Sequence, residues 1–449
     1  MNFLRQIHDI LWDWPVLVLI LGVGLYLTVR LKFPQFTMLP GALRSLLKKP
    51  EASEQGNVSP FQALCTALGA TVGTGNIVGV AGALCVGGPG AVFWMWICSI
   101  IGMALKFAEV TLAVHYRVLK DGEYVGGPMY MISQGLSPRW HWLAGCYSLL
   151  GVAAAFGIGN ATQVNAMVVG VNRMLAAFGG KESLWGNFLI GVLIAGFMGA
   201  VLFGGVRRIG TIAERMVPAA SAGYLLLCVI VLILRRDALP AALKSVFTGA
   251  FRPCAVTGGI IGSALTGLRV GCARGVFSNE AGMGTASIAH AAAQVAHPAQ
   301  QGMLGLVEVF VDTIVICTLT ALAVLCSGIP IPYGHDVGAA LASDAFRAVY
   351  GNWVTMVLTA FLCVFGLATL IGWGLYGTRC GQYLLGHDFW KHFAILQMAG
   401  VVLGAVTRTE VVWLVAETVN GLMAIPNLIA LAALSPVLLR LVKEYKNGG

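Results

Sequence analysis

Two short polar stretches interrupt apolar segments long enough to cross a membrane, and they hold most of the chain's capacity for chemistry. The first is Val72-Gly73-Thr74-Gly75-Asn76, inside an apolar segment from about 61 to 86. The second, Phe277-Ser278-Asn279-Glu280-Ala281-Gly282, follows about 200 residues later. Glycine is about 1 kcal/mol worse than alanine in a helix interior. In lipid, each backbone group freed by a break needs another partner or a protein-enclosed cavity. A helix unwound at mid-membrane offers N–H groups on one half and carbonyls on the other. The first favour a carboxylate; the second favour Na+ or a proton. A zwitterionic amino acid travelling with a cation matches both.

The residues divide the work. Asn76 supplies an amide oxygen suited to a hard cation, and Thr74 a hydroxyl. Gly69, Gly73, Gly75 and Gly79 permit non-helical torsions and close approach, although the same four-residue spacing also suits a helix-packing face. Gly267, Gly271 and Gly275 repeat every four residues and read as such a face. Ser278, Asn279 and Glu280 differ, because a membrane-level carboxylate is costly unless paired or hydrogen-bonded. Glu280 is either a direct cation ligand or an acceptor for the N–H groups of the unwound backbone. The second role is favoured, since a charged ligand there repels a substrate carboxylate.

Gln163 reads as a site-lining donor and acceptor, with inter-helix bonding as its alternative. Thr369 and the carbonyls near Ala368 are placed to complete a cation cage against the first break, and Trp373 to wall the pocket. Arg269 and Arg274 stand near the second break, either as gate ion pairs or as snorkelling interfacial residues. Lys106 and Glu109 suggest pairing at a helix end; Glu308 and Asp312 are charges four apart on the eighth span whose depth the sequence leaves open, with proximity to the cation path the one role weighed for Asp312. The eleven cysteines form no C-x-x-C pair and suit small buried apolar residues. His290 and His297, beside Pro298, suit a loop or helix end rather than a metal.

These stretches need a membrane scaffold. The chain is 58% hydrophobic and 10% charged, against about 25% charged in a soluble domain. Its net charge of +9 lies between apolar segments, without the aromatic interleaving of a nucleic-acid surface. The hydropathy predicts an all-α polytopic protein of eleven spans, at about 10–31, 60–86, 91–116, 141–171, 184–204, 211–234, 257–292, 302–328, 345–378, 391–407 and 411–440. The first span follows Asp9 and Asp13 and lacks a small-x-small cleavage site, so it reads as retained. Residues 36–49, with Leu39, Leu43, Leu46 and Leu47 against Arg44, Lys48 and Lys49, suit an amphipathic surface helix. Arg207-Arg208 joins the fifth and sixth spans, and 237–256 reads as irregular. Loop arginines and lysines number sixteen on one side and eight on the other. The positive-inside rule then puts the N-terminus outside and the C-terminus in the cytoplasm. Arg235-Arg236 on the minority side is the exception.

Beyond the first span, five spans opening with a broken helix are followed by five more opening with another. An odd number per repeat inverts the second repeat, and inverted repeats with discontinuous helices point to a secondary transporter. The expected units are 1–59, 60–236 and 237–449. A channel and a membrane-embedded enzyme are the rival classes. Paired inverted breaks favour alternating access over the first, and no nucleophile–base or metal spacing supports the second.

Three longer runs carry a resemblance. Thr71-Val72-Gly73-Thr74-Gly75-Asn76-Ile77-Val78-Gly79-Val80, Gly87-Gly88-Pro89-Gly90-Ala91-Val92-Phe93-Trp94-Met95-Trp96 and Gly275-Val276-Phe277-Ser278-Asn279-Glu280-Ala281-Gly282-Met283-Gly284 closely resemble the alanine or glycine:cation symporter family. The resemblance implies a leucine-transporter-like fold, a five-plus-five inverted repeat with one extra N-terminal span. It implies symport of a small neutral amino acid with Na+ as the co-transported ion, in a bacterial inner membrane. Proton coupling or a different amino acid within the same fold is the alternative. No organic cofactor, nucleic acid or obligatory protein partner is implied; the contacts are substrate and lipid. By position, Thr74, Gly75, Asn76, Gln163, Phe277, Ser278 and Asn279 surround the substrate. The carbonyls of Gly69 and Val72, with Ala368 and Thr369, border the sodium site, where the family more often carries a second hydroxyl than the Ala368 found here. Gly284-Thr285 replaces the more usual Gly-Ser.

Overall fold

The computed structural model describes residues 6, 11, 14–46, 56–335, 337–407 and 409–448, with backbone alone at 158 and 409–413. Asp9, Asp13, Leu47, Lys48, Lys49 and Arg408 lie outside the described residues. The chain is a helical bundle, and TM-length apolar helices dominate it.

Helix α1 (Pro15–Arg30) leads through a short turn to α2 (Leu39–Ser45), then to α3 (Pro60–Thr71) and α4 (Val78–Gly87), the halves of the first broken helix. Ser59 sets the start of α3: its hydroxyl accepts from the Gln62 amide, and the Gln62 side chain accepts from the Ser59 amide, both at 3.1 Å. Pro60 fills the first helical position, where its missing N–H costs nothing. α5 (Gly90–His115) is apolar nearly all round and runs through the middle of the bundle. A small hairpin, β1 (Val118–Lys120) and β2 (Glu123–Val125), and α6 (Pro128–Gly135) follow outside it. α7 (Trp142–Phe156) and α8 (Thr162–Ala177) form one rod, joined by a π-helical turn at Gly157–Ala161.

α9 (Leu184–Leu202) and α10 (Gly205–Leu234) complete the first set. Arg207 and Arg208 sit inside the first turn of α10 instead of joining two spans. The stretch expected to be irregular is a helix, α11 (Leu239–Phe251). Its Ala242, Val246, Gly249 and Ala250 repeat at helical spacing and are buried. Phe247 and Phe251 meet Phe93 on α5, and Trp94 Nε1 donates to the Ala250 carbonyl at 3.3 Å. Thirteen residues are too few to span lipid, so hydropathy alone undervalues this helix.

The second set opens with α12 (Ala264–Asn279) and α13 (Thr285–His290), the halves of the second broken helix. Gly267, Gly271 and Gly275 lie against Gly87, Ala91 and Met95, and a Cβ at Gly271 would fall 2.3 Å from the Ala91 carbonyl. The expected packing face is present. α14 (Pro298–Val309) and α15 (Thr318–Cys326) are again joined by a π-helical stretch, Phe310–Cys317. The expected span at 345–378 divides instead: α16 (Gly338–Tyr350) ends at Gly351, whose φ of 83° breaks the helix, and α17 runs from Val354 to Leu385. α18 (Phe389–Val406) and α19 (Thr409–Lys446) close the set.

Candidate substrate and cation site

The two breaks face each other at the centre of the bundle. In the first, the chain leaves helical torsions at Val72 (ψ 93°), extends through Gly73 and makes one tight turn over Thr74–Asn76. The Asn76 side chain ties this turn down, its Oδ1 accepting from the Gly73 N–H at 2.9 Å. Thr74 Oγ1 donates to Gln163 Oε1 on α8 at 3.1 Å. The N–H groups of Thr74 and Gly75 bond to no protein group among the described residues. These are free donors at the end of a half-helix.

In the second break, Glu280 takes a left-handed φ of 53°, and Gly282 and Gly284 also have positive φ. Side chains catch the released backbone groups. Tyr147 donates to the Met283 carbonyl at 3.1 Å, and Asn427 to the Gly282 carbonyl at 2.9 Å. The Gly284 N–H donates to Glu109 Oε1 at 3.1 Å. Glu109, not Glu280, is therefore the carboxylate that receives this unwound amide. Glu280 accepts from side chains: Thr285 Oγ1 at 2.6 Å and Trp373 Nε1 at 3.0 Å. Asn279 Oδ1 caps the Ala281 N–H at 3.0 Å, and its Nδ2 donates to Thr313 at 3.0 Å.

Between the breaks is a cavity of about 10 Å³, lined by Gly73, Gly75, Gln163, Phe277, Glu280, Thr369 and Trp373 among others. That is room for about one water, so the site is closed around its centre. Trp373 can reach it because Gly159, in the π-helical turn, has no side chain: a Cβ there would lie 2.3 Å from Trp373 Cβ.

Gly69, Gly73, Ala368 and Thr369 are neighbours. Thr369 Oγ1 donates to the Gly69 carbonyl at 3.1 Å, and a Cβ at Gly69 would sit 3.3 Å from Ala368 Cβ. Carbonyl and hydroxyl oxygens of this kind suit a hard monovalent cation. Among the described residues no His, Cys, Asp or Glu cluster suits a transition metal.

One member of the site was visible in the sequence only as a charge for which nearness to the cation path had no supporting signal. Asp312 is fully buried in the second π-helical stretch. Its Oδ1 accepts from Asn76 Nδ2 at 2.7 Å, and its Oδ2 from Ser278 and Thr313 hydroxyls at 2.8 Å each. The wider turn aims Asp312, Thr313 and Cys317 together at both breaks, a use often made of π-bulges.

The two approaches to this centre differ. On one side is a vestibule of about 690 Å³, lined by parts of α4, α8, α12, α16 and α17. At its floor Arg274 Nη1 pairs with Glu417 Oε1 at 3.0 Å, and the guanidinium carbon lies 5.9 Å from the centre of the Phe277 ring. Arg274 thus stands as an ion pair at the mouth of the break. On the opposite side, the segment before α3 is sewn to the segment after α13. The Asn57 and Val58 N–H groups donate to the Ala292 carbonyl, and the Gln294 N–H donates to the Val58 carbonyl. Arg117 Nη1 donates to the Ala291 and Ala293 carbonyls at 3.2 and 2.6 Å. His297 caps α14 there, as a helix-end histidine should.

Comparison with known proteins gives the family and the fold. The chain matches the model of the sodium:alanine symporter family over residues 1–448. It is 41% identical to an uncharacterized transporter of Haemophilus influenzae, covering 99% of this chain and 96% of that protein. It is 39% identical to the sodium/alanine symporter AgcS of Methanococcus maripaludis, covering 99% and 97%. The crystal structure of MhsT in complex with L-phenylalanine superposes with a TM-score of 0.62 at 14% identity, over 87% of this chain and 99% of that one. At that identity the likeness speaks for the fold alone, the leucine-transporter-like arrangement expected from the sequence.

Proposed function

The chain belongs to the sodium:alanine symporter family, and from that premise we propose that it moves a small neutral amino acid, alanine, glycine or a close relative, together with Na+ by alternating access. It is a multi-pass membrane transporter for amino acids and not an enzyme. The observation that carries the finer reading is the meeting of two unwound helices at one small cavity, with the Thr74 and Gly75 amides free beside it.

The substrate carboxylate meets those amides. Its ammonium group faces the carbonyls and the Ser278 side of the second break, with Asn279 fixing the backbone there and Gln163 lining the site beside the Thr74 hydroxyl. Phe277 and Trp373 bound the side-chain end and limit it to a few atoms. Na+ lies between the Gly69 and Val72 carbonyls, Ala368 and Thr369, with Asn76 joining this region to the substrate. Na+ there orders the first break and favours the form open to the vestibule. With the N-terminus outside and the C-terminus in the cytoplasm of a bacterial inner membrane, the vestibule is external and the direction is import. Residues 60–236 and 237–449 act as the two repeats that rock against each other, with 1–59 outside them.

A second reading, proton coupling at the same site, is favoured by one observation: Ala368 stands where a further hydroxyl ligand would strengthen Na+ binding. Counterflow of labelled alanine in proteoliposomes, with and without a Na+ gradient, decides between them. Uptake driven by Na+ supports the first reading. Uptake unchanged when choline replaces Na+ at constant pH overturns it in favour of the second.

A further inference from the structure

A second polar cluster lies beyond the breaks, on the sewn side, and has no part in the reading above. Glu308 on α14 is held between two cationic or potentially cationic groups. Lys106 Nζ on α5 is 3.3 Å from its Oε1, and His290 Nε2 at the end of α13 is 3.1 Å from its Oε2. Across the imidazole, His290 Nδ1 is 2.6 Å from Gln301 Nε2. The same Gln301 nitrogen donates to the carbonyl of Pro60, the first residue of α3, at 3.3 Å. All four side chains are fully buried. An unbroken chain of contacts therefore runs from α5 through the end of one half-helix to the start of the other.

The Gln301 amide makes this chain sensitive to a proton. With neutral His290, Nε2–H donates to Glu308 and Nδ1 accepts from Gln301. That arrangement leaves Gln301 Oε1 buried without a partner, a costly state for an acceptor. A second proton on His290 turns Nδ1 into a donor, which the amide NH2 repels. Rotating the amide presents Oε1 to Nδ1–H, satisfies the orphaned oxygen, and withdraws the NH2 from the Pro60 carbonyl. The proton is the only atom added, and no covalent bond changes.

We propose that His290 and Glu308 form a proton-binding site whose occupancy is transmitted to the first turn of α3 by rotation of the Gln301 amide. The titratable and charged groups on the surrounding elements include Arg44 on α2, Cys65 on α3, Lys106 and Glu109 on α5, Arg117 beyond α5, Tyr130 on α6, Tyr147 on α7, Glu280 in the break, Asp312 in the π-helical stretch after α14, and Tyr376 and Cys380 on α17. Within the buried cluster three carboxylates face one lysine, so a proton on His290 lowers the local charge imbalance. Protonation then removes one tie from the sewn face, and acid favours its opening.

Hydrogen–deuterium exchange of the purified full chain tests this without using transport. Peptides covering residues 56–66 are followed between about pH 5.5 and 8, with intrinsic exchange corrected. Protection in the wild type should fall at least about tenfold toward acid, about 1.4 kcal/mol. His290→Gln, which cannot take the second proton, and Gln301→Leu, which keeps the histidine but cannot rotate, should both be flat. Protection independent of pH in the wild type, or a pH response kept by either folded variant, overturns the proposal. If Na+-driven uptake fails, the transport reading falls and the exchange result still decides this one. If uptake succeeds, it should be faster in acid in the wild type and independent of pH in Gln301→Leu; the same pH dependence in both overturns the link.

Discussion

Asn76 and Ser278 belong to different broken helices, yet both donate to one carboxylate, that of Asp312, at 2.7 and 2.8 Å. The two breaks are held in register by a group on neither of them. Replacing Asp312 with asparagine keeps the volume but sets an NH2 against a donor. Uptake should fall at least about tenfold, in line with the about 1.5–3 kcal/mol of a hydrogen bond to a charged group. Initial rates in proteoliposomes, normalised to folded protein, check this; near-normal transport would show the bridge to be dispensable.

Gly159 and Gly75 should respond differently to alanine. At Gly159 the new Cβ collides with Trp373 at 2.3 Å, and overpacking of this kind costs about 1–3 kcal/mol. A lower melting temperature in detergent is expected. At Gly75 the nearest atoms, in Phe277, are 3.6 Å away, so folding should be nearly unaffected. The added methyl borders the cavity instead, and KM should rise more for alanine than for glycine. Equal rises for both would remove Gly75 from the cavity wall.

Thr369→Val keeps the shape of the side chain and removes the hydroxyl that reaches the Gly69 carbonyl. The Na+ concentration for half-maximal uptake should rise about tenfold, while stability changes by about 0.5–1.5 kcal/mol, the net worth of one hydrogen bond. An unchanged Na+ dependence would place the cation elsewhere.

The Arg274–Glu417 pair is partly exposed, at 26% and 17%. Its removal by Glu417→Gln should change stability by no more than about 1 kcal/mol. Its position at the vestibule floor predicts a kinetic effect instead: prebound labelled alanine should leave faster toward that side. Filter-release assays at low and high salt measure this, and a release rate equal to the wild type would separate the pair from gating.

The parts legible in the sequence are those set by strong local physics. Glycine and polar residues inside apolar runs located both breaks, and the Gly267–Gly275 spacing located their packing face. The missed parts depend on partners distant in the chain. Glu109 receives the amide expected of Glu280, but Gly284 lies far from it in sequence, so no spacing rule connects them. Lys106 looked like the partner of Glu109 on the same helix, whereas its salt bridge is to Glu308 on another. Asp312 depends on a π-helical stretch, a wider turn that leaves no periodic signature at this length. Likewise α11 is amphipathic but too short for hydropathy to register.

The seam between residues 57–58 and 292–294 has a consequence for how that face can open. Its three backbone bonds, each worth about 0.5–1.5 kcal/mol net, share neighbouring residues and a single register. Parting one displaces the carbonyl that serves the next, so they are lost as a set. In the proposed alternating-access cycle that face is then either shut or open, with no lasting halfway width through which an ion slips without its solute.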